Sequence, residues 1–132
     1  MSLRDAMKNT PLHPAVPAPQ ILRHVHLGGT RILDYAAVRI GIETQFGGEN
    51  IIITSTHALG DFRIVEARPV TIGKNVWITE RCIILGGVEI GDNTIIGAGS
   101  VVTRSIPANV LAAGNPCKAI RSIQRGTCGE SG

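Results

Sequence analysis

Between Pro69 and Pro107 an apolar residue returns at every sixth position: Ile72, Ile78, Ile84, Ile90, Ile96 and Val102. A second set, Val76, Cys82, Val88, Thr94, Ser100 and Ile106, follows each of these by four positions. In a chain that is 43% apolar, six apolar hits at one fixed spacing arise by chance only about 0.6% of the time. The period excludes an α-helix. At about 100° per residue, six residues advance about 600°, so successive isoleucines would point in three directions and share no face. The hexad instead permits one very short strand and one turn per six residues, as in Val88-Glu89-Ile90 followed by Gly91-Asp92-Asn93. Three such units close a triangular coil of about eighteen residues. The small residues in the second set suit a narrow interior where coils stack.

The rest of the chain agrees with an all-β reading. Aromatic residues make up only 3% of the 132 residues while glycine reaches 16, which favours thin layered strands and many turns over a bulky core. A net charge of +3 without a dense basic run or interleaved aromatics argues against a nucleic-acid binder; a small polyanionic ligand fits better. Cys82, Cys117 and Cys128 form no CxxC pair and are odd in number, so neither a zinc site nor a disulfide framework is expected, and a reducing cytoplasm is the default. The N-terminus lacks a charged segment followed by an apolar run, and no apolar stretch reaches membrane-spanning length, so no secretion or membrane insertion is expected.

Taken in order, residues 1–20 hold Pro11, Pro14, Pro17 and Pro19 and read as a Pro-rich arm, flexible or draped on a neighbouring subunit. Residues 21–112 read as the repeat, with Ile40, Phe46 and Ile52 setting a first group of hexads. From Ile52 to Ile72 is twenty residues, not a multiple of six, so a loop over 54–69 must leave the wall of the coil. Loops that interrupt a rigid scaffold are where binding and catalytic groups tend to sit. At the far end Asn115 offers an N-cap and Pro116 a first helical residue, with Ala119, Ile120 and Ile123 as an apolar face, which predicts a capping helix over 113–126. A disordered tail over 127–132 is expected to follow.

Four segments, THALGDF, PVTIGKNVWI, GVEIGDNTIIGAGSVVT and AAGNPCKAIR, closely resemble the hexapeptide-repeat acyltransferases, in particular the sugar O-acetyltransferases that include the maltose, galactoside and polysaccharide-biosynthesis enzymes. The resemblance covers roughly residues 38–121. It implies an all-β fold, a left-handed parallel β-helix, and the hand comes from the resemblance alone. It also implies an enzyme that moves an acetyl group from acetyl-CoA to a hydroxyl of a sugar or polysaccharide precursor, as a homotrimer with each site between two subunits.

By the same resemblance His57 is the general base. The chemistry makes sense of it, because a sugar hydroxyl is a poor nucleophile near neutral pH and an imidazole can take its proton during attack on the thioester carbonyl. His13, His24 and His26 have no such surroundings. Coenzyme A is long and anionic, so its site needs an apolar groove together with cations for the phosphates. The resemblance places the pantetheine arm near Trp77, Ile78 and Ala98, with Thr103 and Arg104 further along and Lys118 and Arg121 near the phosphates. No metal is expected. A zinc carbonic anhydrase on this fold would need three converging histidines, and only His57 lies in the repeat region.

The chain also departs from the family. Thr79 stands where Gly is usual, followed by Glu80, and Cys117 replaces the commoner Ala. The family's acceptor-binding Asn, about thirty residues before the histidine, would fall near Leu27, yet no Asn lies between Thr10 and Gly48. The alternative reading is therefore a shortened, inactive scaffold or binding module. Affinity for coenzyme A would separate the two.

Overall fold

A computed structural model of the chain describes residues 17–21 and 23–126, so most of the Pro-rich arm and the tail over 127–132 lie outside the described residues. Fifteen short strands run through the described part: β1 Gln20–Ile21, β2 Arg31–Leu33, β3 Val38–Ile40, β4 Gln45–Phe46, β5 Ile51–Ile53, β6 Ser55–Ala58, β7 Asp61–Ala67, β8 Val70–Ile72, β9 Trp77–Ile78, β10 Ile83–Leu85, β11 Glu89–Ile90, β12 Ile95–Ile96, β13 Val101–Val102, β14 Val110–Gly114 and β15 Cys117–Ser122. All but β6, β7 and β15 stack in parallel as three walls. The first wall is β1-β3-β8-β11, the second β4-β9-β12-β14, and the third β2-β5-β10-β13. Each of the three central turns contributes one strand to each wall, and the isolated bridges His26–Gln45 and Ile90–Ile106 extend the second and first walls at the ends.

The register follows from the hexad. Ile72 pairs with Ile90, eighteen residues on, and Ile78 pairs with Ile96 at the same interval. Ile40 pairs with Ile72 across 32 residues, so that coil carries fourteen extra. Both six-residue series point inward. Ile72, Val76, Ile78, Cys82, Ile84, Val88, Ile90, Thr94, Ile96, Ser100 and Val102 are all buried and form one continuous column of side chains. Burying a Val or Ile side chain contributes about 1.5–3 kcal/mol, which is what favours the narrow coil over an extended chain.

Many corners carry a residue with left-handed backbone, and these recur at the hexad spacing: Glu43 and Glu49, then Asn75, Arg81, Gly87, Asn93 and Gly99. Stacking leaves no room for side chains at some neighbouring positions. A Cβ on Gly47 would lie 2.1 Å from the Thr79 carbonyl oxygen. The buried polar residues satisfy the corners from inside. Thr44 Oγ1 donates to the Gly73 carbonyl at 2.7 Å and accepts the Val76 N–H at 3.1 Å, and no buried side-chain polar atom among the described residues lacks a partner.

The expected C-terminal helix is not formed, and no helix occurs among the described residues. β14 continues the second wall, pairing Ile95 with Leu111 and Ile96 with Ala112. The chain then reverses at Asn115-Pro116, joined by a cis peptide bond, and β15 returns antiparallel, pairing Leu111 with Arg121 and Gly114 with Cys117. The residues that would start a helix here make a two-residue turn. A hairpin satisfies the backbone groups along the outer edge of β14, which a helix would leave unpaired.

Candidate functional site

The fourteen extra residues leave the coil after β5, at the corner between the third and first walls, as an antiparallel hairpin of β6 and β7. Its turn has a physical cause. Ala58 pairs with Asp61 around Leu59-Gly60, and Asp61 Oδ1 accepts both the Arg63 N–H at 3.0 Å and its Nε at 2.9 Å. The Arg63 side chain, then its backbone N–H, hold the Asp61 carboxyl below its ordinary value, and the carboxylate in turn holds the guanidinium pKa up. The hairpin pairing shifts register between His57 and Ala58.

A cleft of about 560 Å³ opens between this hairpin and the corner of the later coils. Thr56, His57 and Leu59 line it from β6 and the turn, Glu66 and Arg68 from β7 and the residue after it, and Leu85, Gly86 and Thr103 from the coil wall. The imidazole of His57 is exposed in this cleft, and among the described residues it makes no hydrogen bond. Arg68 and Glu66 form an ion pair at 3.5 Å. The backbone N–H of Arg68 donates to the Thr54 carbonyl at 2.8 Å, and a Cβ on Gly87 would lie 3.3 Å from its Cδ, so the side-chain stem crosses the corner over a glycine.

Of the residues expected to bind coenzyme A, only Thr103 lines the His57 cleft, with Arg104 exposed beside it. Trp77 is 45% exposed on the second wall, in a cross-coil row with Gln45, Ile95 and Leu111 that ends at Arg121 on β15. Lys118 is exposed on the same hairpin, opposite Ala113. Ala98 is exposed between β12 and β13, at the corner of the second and third walls. Ile78 is fully buried, so its side chain belongs to the core and is not open to a ligand. Within one chain, then, His57 and Trp77 stand on different sides of the prism. Glu66 and Arg68 escaped the hexad reading because the hairpin has no hexad, and Leu85 and Gly86 because they sit at outward and corner positions of the coil that the inward hexad does not mark. The signal was there in Leu59-Gly60-Asp61, a turn between two polar-apolar stretches.

The third wall presents apolar side chains outward as well as inward. Ile51, Ile83 and Val101 form one outward row and Leu33, Ile53 and Leu85 another, all partly exposed. The outward residues of the first wall, Arg39, Thr71 and Glu89, are polar. Among the described residues no three His, Cys, Asp or Glu side chains gather as a metal site, and no helix is long and apolar enough to cross a membrane.

A parallel coil of hexapeptide turns is the architecture of the hexapeptide-repeat transferases. Residues 69–104 match the bacterial transferase hexapeptide model of six repeats. The chain is 38% identical over 111 residues to a galactoside O-acetyltransferase of Escherichia coli, covering 76% of this chain and 55% of that protein. It superposes with a TM-score of 0.67 and 35% identity on a maltose O-acetyltransferase from Clostridium difficile, covering 82% of this chain and 65% of the other. A hexapeptide-repeat acetyltransferase from Vibrio cholerae, solved in complex with acetyl coenzyme A, superposes with a TM-score of 0.69 and 26% identity over 85% of this chain and 68% of that one. The chain carries the repeat of the hexapeptide transferases, its coil is their left-handed parallel β-helix, and the proteins it is similar to include sugar O-acetyltransferases. It spans about half the length of the E. coli relative.

Proposed function

We propose that this protein is an acetyl coenzyme A dependent O-acetyltransferase that acts on a hydroxyl of a sugar or polysaccharide precursor in the cytoplasm, with His57 as general base. The observation that carries the reading is the cleft itself. It brings the exposed His57 together with Leu85, Gly86 and Thr103 of the coil. An acceptor hydroxyl held there would pass its proton to the imidazole as its oxygen attacks the thioester carbonyl, and the coenzyme A thiol would leave. Direct transfer needs no covalent enzyme intermediate.

The coenzyme would lie along the coils, with Trp77 and Ala98 against the pantetheine arm, Thr103 and Arg104 near its reactive end, and Lys118 and Arg121 toward the phosphates. The backbone at Ile78 would border the same groove. Since Trp77 and His57 stand on different sides of one chain, a complete site takes the Trp77 wall from one subunit and the hairpin from the next, in a homotrimer. The outward apolar rows of the third wall and the exposed side chains of Leu59, Phe62 and Ile64 on the hairpin support self-association. Free Cys82 and Cys117 suit a reducing compartment.

The test is release of free coenzyme A thiol from acetyl coenzyme A in the presence of a panel of sugars. Activity that falls about 10²- to 10⁴-fold in His57→Ala is expected. No turnover with any sugar, or a rate untouched by that substitution, would refute the assignment. Calorimetry with coenzyme A then decides whether the chain still binds the coenzyme as an inactive scaffold.

A further inference from the structure

The cleft holds an ion pair that the general-base chemistry does not use. Glu66 and Arg68 lie two residues apart at the end of β7, so their side chains leave the strand on one side, and both line the cleft that contains His57. Their contact, Nη2 to Oε2 at 3.5 Å, is longer than a good hydrogen bond. Among the described residues it is the sole polar contact of either side chain, so most of the guanidinium donors and carboxylate lone pairs remain available. Thr56, which pairs with Glu66 across the hairpin, adds a hydroxyl to the same cleft. The Arg68 backbone is tied to Thr54 and its stem crosses Gly87, where a side chain would crowd it, while both charged ends stay open to solvent in the cleft.

We infer that Glu66 and Arg68 together select the acceptor, taking a neutral sugar with adjacent hydroxyls in preference to an acidic one. This rests on the acetyltransferase reading above. Adjacent hydroxyls can donate to the Glu66 carboxylate and accept from the Arg68 guanidinium at once, and both are charge-assisted hydrogen bonds. An acidic sugar would be repelled by Glu66 and would have to compete with it for Arg68. The pair therefore works as a charge-neutral fork, with the carboxylate acting against anions. Glu66 and Arg68 also answer the question left by the missing Asn upstream, since they supply acceptor-binding groups from the hairpin.

The probes are methyl galactoside and the methyl glycoside of galacturonic acid with its carboxylate free, which differ by that carboxylate in place of a hydroxymethyl group. The wild type should prefer the neutral sugar. Glu66→Gln should lower kcat/KM for it about tenfold, mainly through acceptor KM, and should shift the neutral-to-acidic preference toward the acid by about tenfold. Arg68→Met should raise acceptor KM without that shift toward the acid. An unchanged preference ratio in Glu66→Gln would overturn the inference while leaving the acetyltransferase reading intact. If the wild type acetylates neither probe, the sugar panel decides the acetyltransferase reading and saturation-transfer NMR decides this one: binding of methyl galactoside that weakens in Glu66→Gln sustains it, and no binding, or binding indifferent to the substitution, overturns it.

Discussion

Asn50 Oδ1 accepts the backbone N–H of Cys82, one coil further on, at 2.8 Å. Its Nδ2 meanwhile donates to the Gly47 carbonyl at 3.1 Å and the Thr79 carbonyl at 3.2 Å, and the whole residue is buried. One side chain thus holds two coils together at the corner from which the third wall rises. Asn50→Ala strips a partner from a buried N–H and two carbonyls at once, which should cost about 2–4 kcal/mol. Urea denaturation measures it, and a loss below about 1 kcal/mol would mean that the corner finds other partners.

A second ladder runs along the outside of the corner between the first and second walls. Asn75 donates to Asn93 Oδ1 at 2.9 Å and Asn93 to Asn109 Oδ1 at 3.0 Å, each in left-handed backbone, with Asn93 at φ 62°. The two contributions can be separated. Asn93→Gly keeps the backbone and loses only the ladder, whereas Asn93→Ala also meets the left-handed penalty of about 1–2 kcal/mol. Alanine should therefore be the more destabilising of the two by thermal denaturation, and equal losses would show that the ladder alone matters.

How much was legible in the sequence depends on what sets each structure. The walls were readable, because every inward residue from Ile72 to Val102 obeys a spacing that only a coil of short strands can use. The C-terminal segment was misread because Asn115-Pro116 suits a helix start and a tight turn equally, and the deciding factor was the open edge of β14, which no local pattern reports. Of the cleft, His57 and Thr103 were named through the resemblance, while Glu66 and Arg68 come together only through cross-strand register. Ile78 shows the opposite limit. Its neighbour Trp77 faces out, but strand alternation turns Ile78 itself into the core.

Burial raises the Cys117 thiol pKa, and the nearby Cys82 pushes the same way, while a hydrogen bond with Ser100 partly opposes them. A thiol whose folded pKa lies above its unfolded one favours the native state only while it stays protonated. Its contribution is therefore intact below the ordinary thiol value of 9.0 and is lost as pH rises from there through the raised folded value. Stability measured by urea titration should decline across that alkaline window, and Cys117→Ala should flatten the decline. A slope identical in the variant would assign the alkaline loss to other groups.

The separation of Trp77 from His57 on one chain makes the shared site testable by mixing inactive chains. If each site draws the hairpin from one subunit and the Trp77 wall from its neighbour, His57→Ala and Trp77→Ala each disable every site in their own homotrimers. Unfolded together in equal amounts and refolded, they form mixed trimers in which a site works only when its histidine comes from the Trp77 variant and its tryptophan from the His57 variant. Random assembly gives each of those choices a probability of one half, so about a quarter of the wild-type activity should return. A negative control follows from the outward apolar rows of the third wall, where Ile83→Glu places a charge that self-association would have to bury. That substitution, made in both chains, should leave the coils folded by circular dichroism, shift sedimentation toward the single-chain mass, and abolish the recovery. If each subunit carried a complete site of its own, no mixture of the two inactive variants would recover activity.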